Sequence, residues 1–569
     1  MKVKLANKEI RNNFVPELLK ERGVENIENF LNPPDSALQS YSDLANIDKG
    51  IELIATTIKS ELSYGLIVDS DTDGFTSSAI IYQYLKRINP NKNIVYYIHE
   101  GKQHGLEDMW EKLQEEDFEL LIIPDAGSDD AQYAGHLKYP ILVLDHHIIQ
   151  TKPSSNMVVI NNQNSPKYKN KNLSGAGIVY QFCRALDDFF KVNFADNFID
   201  LAAIGVIGDM MSGLEVENQW LWKKGLSSIK NHFLKTLIHK QHYSMGDKIN
   251  PTTIAFYVAP LINAINRVGT QEEKERMFIA FVDGKRQILS NKRGAEGTLE
   301  EVAIESAREC SNARSRQNKL LDIAEGQIEI KIHKYDLLEN KILFIELEED
   351  DTFPSELNGV LAMRMAAKFH RPAIVARLNE EGYVRGSIRG LNNGPISNFK
   401  NFLEESGYCE YVKGHPNAAG ISIKESNVEK LHQYANQKLS GIKLDEDCYE
   451  VNFIRFAAEK DICDIISDIV KYENIYGEDN KEPLLYIYDI NLTKQDIQII
   501  GKNNDTVKFT KFGITYIKFH AKELIEELQK YNEMRVEIVG RANINEWLGI
   551  FTYQILIDGY EIKNGALSF

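Results

Sequence analysis

A chain of 569 residues is long enough for three or four domains, and its 26% charged and 43% hydrophobic residues are typical of an ordinary globular protein. The net charge of −17 argues against broad, non-specific adhesion to nucleic acid, although a local basic groove or bound divalent cations could still hold such a substrate. No stretch approaches the roughly 18 uncharged apolar residues that cross a bilayer, and no early apolar run suits a signal peptide, so no membrane association is expected.

The five cysteines lie far apart, and none belongs to a CxxC pair, which argues against a disulfide framework and against a zinc site. They are Cys183, Cys310, Cys409, Cys448 and Cys463. This usage predicts a reducing, cytoplasmic setting.

Helical and strand patterns alternate between about residues 51 and 210. Before them, a short helix is predicted over 15–22, and the Pro-Pro pair at 33–34 should end any helix there. In chain order the alternating elements are a helix over 51–62, a strand over 64–69, a helix over 75–87, a strand over 94–98, a helix over 106–115, strands over 119–123 and 141–144, and helices over 176–190 and 196–207. The alternation predicts a parallel sheet covered by helices.

The predicted secondary structure changes twice in the second half of the chain. Residues 210–330 are predicted to be mostly helical, with a connecting helix over 300–321. A second α/β unit follows, with strands near 342–345, 373–377 and 384–388, a helix over 359–369 and a Gly-rich stretch over 413–420. From about residue 450, short strands rich in aromatic and β-branched residues, at 484–488, 514–519 and 536–539, predict a small β-barrel.

Four apolar runs in the first α/β unit end in acidic or imidazole side chains, where we expect the carboxyl ends of buried strands. These side chains are Asp69, Asp71, Asp73, Asp125, Asp145, His146, His147 and Asp209. Open α/β sheets bind ligands at that end of their strands, and burying so many charges is costly unless a cation compensates. The four runs together predict one metal site.

The motif Asp69-x-Asp71-x-Asp73 supports more than one interpretation by itself. Three carboxylates this close raise one another's pKa unless a divalent ion offsets their charge. The hydroxyls of Thr76 and Ser77, at the start of the next helix, suit phosphate. A solvated acidic turn with helix-capping side chains, or a calcium loop of similar spacing, fits the same residues.

His146 and His147 are expected to differ in role, because neighbouring side chains on a strand point apart. One would bind an ion, and the other would orient it or contact a phosphate. Carboxylate and imidazole ligands without thiolate favour Mn²⁺ or Mg²⁺, and two ions that share a carboxylate would activate water and neutralise charge on a phosphoryl group. This chemistry predicts a phosphodiester or pyrophosphate hydrolase, whereas a serine hydrolase would need a Gly-x-Ser-x-Gly turn that the chain lacks.

The ordered acidic motifs resemble those of the DHH phosphoesterase superfamily. The stretch Gly414-His415-x-x-Ala418-Ala419-Gly420 is similar to the signature of the DHH-associated second domain. Nearly the whole chain resembles one branch, the RecJ single-strand DNA exonucleases. The other similar segments are 30–33, 217–226, Pro-Leu-Ile-Asn-Ala-Ile-Asn-Arg at 260–267, Gly-Ser-Ile-Arg at 386–389, and 543–554.

This resemblance implies two α/β domains joined by a long helix, followed by an OB-type β-barrel. The implied parts are an N-terminal segment over 1–50, a DHH catalytic domain with a parallel sheet over 51–295, a connecting helix over 296–335, a smaller DHH-associated domain over 336–445, and an OB-fold-like nucleic-acid-binding domain over 446–569. The implied activity is 5′-to-3′ degradation of single-stranded DNA to 5′-mononucleotides in DNA repair and recombination, with two Mn²⁺ or Mg²⁺ ions. Besides single-stranded DNA, the implied partners are a single-strand-binding protein and a helicase.

The resemblance also implies roles for individual residues. The implied metal ligands are Asp69, Asp71, Asp73, Asp125, His146 and Asp209, with Asp125 as the bridge. The implied catalytic residues are Asp125, His146, His147 and Asp209. Arg267, Ser387, Arg389, Gly414 and His415 would bind the substrate, at its 5′-phosphate and near the scissile phosphate, across a cleft that admits one strand.

Three positions depart from the family's pattern. Lys413 replaces the first of two paired glycines, Asn266 replaces the glycine before Arg267, and Leu261 replaces an arginine. These changes leave the chemistry intact and bear on DNA-end affinity and on length preference.

Other interpretations stay open. Arg267 and Arg389 could be ordinary ion-pair residues, and Trp547 could be a core residue or could stack on a base. Lys502, Lys508, Lys511 and Lys518 could line a basic groove or only solubilise strand edges. Two alternative functions are a DHH phosphodiesterase for short oligoribonucleotides or cyclic dinucleotides, which needs no C-terminal barrel, and a non-catalytic DHH replication scaffold, which would lose the acidic motifs.

Overall fold

The computed structural model describes residues 1–101, 104–246, 248–348, 352–391, 396–442, 444, 448–547 and 549–567. They form two compact units. The parallel-sheet unit contains Glu28–Lys319 and Asn474–Lys481, and the mixed-sheet unit contains Met1–Ile27, Leu320–Glu473 and Glu482–Phe569. Across the described ranges, no helix is both long and apolar enough to cross a membrane.

Five parallel strands form the sheet of the parallel-sheet unit. Their spatial order is Ile94–Ile98, Tyr64–Val68, Leu120–Pro124, Ile141–Asp145 and Met157–Asn161. The three central strands are buried along their whole length, which explains their unbroken apolar sequences. The main helices of the unit are Ile47–Thr57, Thr72–Ile88, Trp110–Leu113, Ala131–Ala134, Gly175–Phe190, Ile199–Gly208, Val216–Ser227, His232–Met245, Ala259–Val268 and Gln271–Asp283.

Three elements of this unit differ from the sequence prediction. The helix predicted over 106–115 is limited to Trp110–Leu113, because Leu106 donates its backbone N–H to the side chain of Asp130 and its segment forms turns. The strand Met157–Asn161 was not predicted. Asp209 follows a helix rather than a strand, since Ile199–Gly208 is apolar on all sides and buried almost throughout.

A single helix, Val302–Lys334, continues 13 residues beyond the predicted end at 321. Its second half alternates charged residues with the buried Leu321, Ala324, Ile328 and Ile332, so an apolar stripe persists at helical spacing.

The mixed-sheet unit contains a five-stranded sheet, here called the mixed sheet, with the order Cys409–His415, Ala418–Lys424, Tyr383–Arg389, Ala373–Leu378 and Leu343–Leu347. Only the last pair is parallel. The helices Phe399–Glu405 and Glu425–Lys438 pack on one face, where Ile388, Ala419 and Ile421 are buried. The helix Asn358–Phe369 lies against the other face, over Ala373–Leu378 and Tyr383–Arg389.

A seven-stranded sheet forms the C-terminal part, in the order Phe453–Phe456, Leu484–Thr493, Tyr531–Trp547, Ile550–Leu567, Ile514–Lys518, Thr506–Lys511 and Gln498–Ile500. The predicted fold class, α/β domains followed by a β-rich domain, is confirmed. The strand predicted over 536–539 is much longer, because Tyr531–Trp547 forms one continuous hairpin with Ile550–Leu567, a strand that was not predicted. The N-terminal strand Lys2–Leu5 pairs in parallel with Cys448–Val451.

Candidate active site

The predicted acidic residues converge at the carboxyl edge of the parallel sheet. Asp69, Asp125 and Asp145 follow or end three strands that are neighbours in space, Tyr64–Val68, Leu120–Pro124 and Ile141–Asp145. All three aspartates are at most 2% exposed. Because the strands are parallel, their carboxylates meet at one edge of the sheet.

Within the described residues, three groups of side chains place their ligand atoms within 4.8 Å of one another. The groups are Asp69, Asp71 and Asp125; Asp73, His146 and Asp209; and Asp125, Asp145, His146 and His147. Every predicted metal ligand therefore belongs to at least one group. Asp125 and His146 each belong to two.

Asp125 lies at the centre of this cluster, in a left-handed backbone conformation with φ of 64° that non-glycine residues rarely adopt. Its Oδ1 lies 3.2 Å from His146 Nε2, which is also 3.3 Å from Asp209 Oδ2. Burial, and then the negative charges of its neighbours, raise the pKa of Asp125 well above its usual range. The same causes raise the pKa of Asp209.

The carboxylates fit a bound cation. Burial, and then the charge of Asp69, raise the pKa of Asp71 to about 6. Among the described residues, no hydrogen-bond donor is supplied to Oδ1 of Asp69 or to Oδ1 of Asp125, although both atoms are buried. A cation would offset the repulsion and satisfy these oxygens. The carboxylate and imidazole donor set, without thiolate, suits Mn²⁺ or Mg²⁺.

Two carboxylates of the first motif are fixed by helix starts. Asp71 caps the helix Thr72–Ile88, and its Oδ1 accepts the backbone N–H of Gly74 at 2.9 Å. Asp73 accepts from the Ser174 hydroxyl at 2.9 Å, and from the backbone N–H groups of Gly175 at 2.6 Å and Ala176 at 3.0 Å. Asp73 thus lies at the positive end of the helix Gly175–Phe190.

Glycines allow this close approach. A Cβ on Gly175 would lie 2.4 Å from Asp125 Oδ1, and a Cβ on Gly205 would lie 2.3 Å from Asp73 Oδ1. Neither position has room for a side chain. The helix Gly175–Phe190 therefore approaches Asp125 closely at Gly175, and the helix Ile199–Gly208 approaches Asp73 closely at Gly205.

The two adjacent histidines lie side by side, with ring centroids 4.4 Å apart, so the expectation that their side chains point apart is wrong. The carboxylate of Asp145 stabilises a turn of the backbone here, because its Oδ1 accepts hydrogen bonds from the backbone N–H groups of His146 at 2.7 Å and of His147 at 3.2 Å. His146 is buried, whereas the His147 side chain is 57% exposed.

His147 is held by Asp145 through Nδ1, at 2.8 Å from Oδ1. Burial opposes the charged imidazolium, but this hydrogen bond and the negative charges of Asp145 and Asp209 raise the pKa of His147 to about 10. Burial likewise opposes the ionised form of Asp145, and the hydrogen bond and charge of His147 hold the pKa of that carboxyl well below its usual range. In this geometry Asp145 positions His147.

Besides Ser174, sequence reasoning missed His104 and Asn263 at this cluster. His104 Nδ1 lies 2.7 Å from Asp69 Oδ2, and the hydrogen bond raises the pKa of this imidazole. Asn263 Oδ1 accepts the backbone N–H of Thr72 at 3.0 Å and its hydroxyl at 2.9 Å. A histidine in the loop after a predicted strand, and an asparagine in the 260–267 segment, were the available signals.

The predicted substrate-binding residues occupy both units. In the parallel-sheet unit, Arg267 is half-buried near the end of the helix Ala259–Val268. The departure Asn266 beside it is buried. The other predicted residues lie in the mixed-sheet unit.

In the mixed sheet, cross-strand register places Arg389 and His415 on either side of Ala418. Directly opposed residues share one face of a sheet, so both side chains belong to the same face. Ser387 shares it, opposite Gly420, whereas Gly414 lies beside His415 with φ of 133°. Burial lowers the pKa of the Arg389 guanidinium, which lies so close to Gly359 that a Cβ there would be 2.7 Å from Nη2.

Comparison with known proteins gives consistent results across the chain. The family model of the DHH family N-terminal domain matches residues 65–206, and that of the RecJ OB domain matches residues 459–559. The SPbeta prophage-derived protein of Bacillus subtilis (strain 168) that bears the name single-strand DNA-specific exonuclease YorK is 36% identical, covering 97% of this chain and 96% of the relative. The single-stranded-DNA-specific exonuclease RecJ of the same bacterium is 25% identical, covering 98% of this chain and 68% of that protein.

The crystal structure of RecJ from Thermus thermophilus in complex with Mn²⁺ has the same fold. It matches with a TM-score of 0.73 and 20% identity, covering 100% of this chain and 80% of that one. The chain therefore belongs to the RecJ branch of the DHH family, together with YorK.

Proposed function

We propose that this chain is a metal-dependent exonuclease that hydrolyses single-stranded DNA. The observation that carries the proposal is the buried cluster of carboxylates around Asp125, two of whose oxygens have no described hydrogen-bond donor. Such a cluster is costly without cations, and a pair of divalent cations promotes phosphodiester hydrolysis. We infer the substrate, single-stranded DNA, from the relatives YorK and RecJ, both of which are described as exonucleases specific for it.

The proposed cofactor is two ions of Mn²⁺ or Mg²⁺, both of which occur in crystal structures of RecJ from Thermus thermophilus. When bound, such ions activate water and offset the negative charge that develops at phosphorus. We assign as ligands Asp69, Asp71, Asp73, Asp125, His146 and Asp209. Asp125 is the proposed bridge, because it belongs to two of the three groups.

The proposed catalytic residues are Asp125, His146, His147 and Asp209. Asp145 holds His147 so that its imidazole, more than half exposed, can contact a substrate phosphate. The helix starts at Ser174 and Asp71 fix the carboxylates before substrate arrives. Preorganised groups lower the barrier because they need no rearrangement during the reaction.

We further propose a 5′-to-3′ direction with 5′-mononucleotide products. Support comes from Ser387, Arg389 and His415, which share one face of the mixed sheet, with Gly414 next to His415. Guanidinium groups bind a terminal phosphate well because they donate two parallel hydrogen bonds. Arg267 is proposed as a second phosphate-binding arginine.

The domain boundaries are also proposals: 1–50, 51–295, 296–335, 336–445 and 446–569. The RecJ OB match at 459–559 supports a nucleic-acid-binding role for the last. We propose a cytoplasmic location, because the five cysteines are free, and a role in DNA repair and recombination. A helicase and a single-strand-binding protein would supply the substrate.

The two alternative functions are not favoured. A phosphodiesterase for oligoribonucleotides or cyclic dinucleotides has no use for the C-terminal sheet domain, and a non-catalytic replication scaffold has no use for a complete acidic cluster. Comparing hydrolysis of a long DNA strand with hydrolysis of a dinucleotide separates the first alternative from our proposal. Titration with Mn²⁺ tests the second, which predicts no binding.

The decisive experiment is digestion of single strands labelled at the 5′ or the 3′ end, and of duplex, with Mn²⁺ and with EDTA. We expect a 5′-labelled strand to release labelled mononucleotide at once, a 3′-labelled strand to shorten progressively, and duplex and EDTA samples to stay intact. Release from the 3′ end first would contradict the proposed direction. Equal degradation of duplex would contradict the strand specificity.

A further inference from the structure

One half of the mixed sheet has an open face that carries basic and aromatic side chains. We call it the basic–aromatic face and define it by Tyr383, Arg385, Tyr411, Lys413 and Lys424. Residues two apart on a strand lie on the same side, so Tyr383 and Arg385 share the face of Ser387 and Arg389. The face thus continues along the sheet from the proposed 5′-end residues.

Cross-strand register joins the three strands on this side. Arg385 lies opposite Ser422, which lies opposite Tyr411, and Tyr383 lies opposite Lys424. Lys413 lies opposite Gly420, which in turn lies opposite Ser387. The residues of the other parity, such as Ile388, Ile421 and Val412, are buried in the core.

The side chains along the centre of the basic–aromatic face are shorter than those along its two edges. Ala418, Gly420 and Ser422, on the middle strand, have small side chains or none, whereas the strands on both sides carry long ones. Arg385, Tyr411 and Lys413 are exposed. Ala418 and Gly420 are partly exposed, whereas Ser422, which lies between Arg385 and Tyr411, is buried. A ligand can therefore reach the floor of this shallow track at Ala418 and Gly420 and would lie over the exposed long side chains beyond them.

The positive charges and aromatic rings on this track suit a polyanion that also carries planar rings. Lys413 Nζ lies 5.5 Å from the ring centroid of Tyr411, and Arg385 lies 5.8 Å from that of Tyr383. Within the described part of the chain, Lys413 pairs with no acidic residue, and the pairs of Arg385 with Glu381 and Lys424 with Glu410 are exposed. Exposed pairs exchange readily for a phosphate, because they contribute little stability. In a chain of net charge −17, this is a local basic surface.

We propose that the basic–aromatic face binds the nucleotides of single-stranded DNA that follow the 5′ end. Tyr411 stacks on a base, and Lys413 and Arg385 contact phosphates, as in other single-strand-binding surfaces. Lys413, where the family has a glycine, extends the track in this chain. The inference rests on the proposed function for its substrate, but it concerns residues outside the predicted site.

The test is a binding titration of the full-length chain with a fluorescent oligothymidylate of about 20 nucleotides in EDTA. We expect Tyr411→Ala to weaken binding about tenfold, because base stacking on one aromatic ring contributes that much or more. Lys413→Gly, which restores the family residue, should lower the slope of log affinity against log salt by about 0.7, the effect of one lost phosphate contact. Arg385→Ala should act like Lys413→Gly.

Lys430→Ala is the matched control, since this exposed lysine belongs to the helix Glu425–Lys438 on the other face of the sheet. Its affinity and salt slope should equal those of the unchanged protein. Unchanged affinity and slope in all three variants would overturn the inference. So would hydrolysis with Mn²⁺ by an unchanged chain that does not bind the oligonucleotide in EDTA, while failed hydrolysis with intact binding would overturn only the proposed function.

Discussion

At the scale of single residues, Asp125 lowers the stability of the metal-free fold and has properties that suit a metal ligand. Its backbone is left-handed, its carboxylate is 2% exposed, and its pKa is raised by burial and by neighbouring charges. The backbone conformation is unfavourable for any residue other than glycine, and burial and the neighbouring charges disfavour the ionised carboxylate in the metal-free fold. A structural role alone would not explain keeping an aspartate there, whereas a metal ligand would.

We therefore expect Asp125→Asn to stabilise the metal-free protein and to abolish hydrolysis. The amide keeps the shape and is neutral at every pH, so the fold avoids the cost of either ionising or protonating a buried carboxyl, and the melting temperature in EDTA should rise. Hydrolysis should fall by more than about a thousandfold, because Asp125 is the residue proposed to hold both ions. Thermal unfolding with and without Mn²⁺, and a nuclease assay, measure both effects. Residual hydrolysis near the unchanged level would contradict the ligand assignment.

His104 is expected to position Asp69 for metal binding. Its hydrogen bond to Oδ2 fixes the carboxylate, whose other oxygen, Oδ1, is buried and accepts no hydrogen bond among the described residues. Residues that orient ligands typically change metal affinity by about 10- to 100-fold, so His104→Ala should weaken Mn²⁺ binding by at least about tenfold in a calorimetric titration. His104→Gln, which keeps a donor, should recover part of it. His333→Ala, at an exposed position of the helix Val302–Lys334, is the control. Equal affinity in His104→Ala would refute the role.

The stability of the metal-free protein should fall as pH rises from about 5.5 to 8. A carboxyl whose pKa is raised in the fold, such as Asp71 at about 6, keeps a proton that the unfolded chain loses near pH 4. The stability that it contributes is therefore lost between about pH 4 and pH 6 and does not change further above pH 6. The raised pKa of His147, about 10, acts in the same direction above pH 6.5, where the unfolded imidazole is already neutral. Mn²⁺ competes with these protons. The rise in melting temperature on adding Mn²⁺ should therefore be larger at pH 8 than at pH 5.5, and the reverse order would contradict the shifts.

The acidic residues could be found from sequence because an acid that directly follows an apolar run is easy to recognise. Burying its charge costs free energy, which points to a functional reason for its presence. His104, Asn263 and Ser174 could not, since their contacts with Asp69, Thr72 and Asp73 depend on the paths of loops and helices far away in the chain. The sequence shows a histidine and an asparagine in suitable segments, but it does not show which residue each of them contacts. The roles of Arg267 and His415 rest on family resemblance and stay predictions.

At the scale of elements, helix packing around the cluster explains both a success and a failure of sequence reasoning. The strands Tyr64–Val68, Leu120–Pro124 and Ile141–Asp145 were predicted almost to the residue, because turn signals and acids bound them. The helix Ile199–Gly208 was assigned as helical, yet its end was also interpreted as a strand end, because a helix buried on all sides has no polar face. The hydrophobic periodicity of residues 199–208 therefore cannot distinguish a buried helix from a buried strand.

Gly205→Ala should disrupt the contact between the helices Ile199–Gly208 and Gly175–Phe190 and the carboxylate of Asp73. The new methyl would lie 2.3 Å from Asp73 Oδ1 and 2.5 Å from the Ala176 methyl, both held in place by their own contacts. Overpacking of this kind costs about 1–3 kcal/mol, and the displaced Asp73 should lower Mn²⁺ affinity as well. Gly326→Ala is the control, because it meets nothing within 4 Å in the helix Val302–Lys334 and should stabilise slightly. Equal melting temperatures of the Gly205→Ala and unchanged chains would contradict the packing argument.

At the scale of the whole molecule, one short segment links distant parts of the chain. Asn474–Lys481 follows the helix Ile462–Lys471 of the mixed-sheet unit but belongs to the parallel-sheet unit. The backbone carbonyl of Glu478 accepts the N–H of Gly213 at 2.7 Å, and that of Ile475 accepts from the Gln219 side chain at 2.9 Å. Gly213 lies only four residues after Asp209, so the segment supports the loop that carries a predicted ligand.

This arrangement predicts that a substitution in the C-terminal half weakens the parallel-sheet unit. A Cβ on Gly477 would lie 2.7 Å from Cη2 of Trp222, whose ring is 2% exposed and has no room to move. Gly477→Leu should therefore destabilise the unit by about 1–3 kcal/mol and lower Mn²⁺ affinity through the loop after Asp209. Thermal unfolding in EDTA and a Mn²⁺ titration measure the two effects. Gly441→Leu, where nothing lies within 4 Å, is the control and should change neither. If Gly477→Leu unfolded like the control and bound Mn²⁺ normally, the catalytic half would be independent of the segment that reaches it from the C-terminal part.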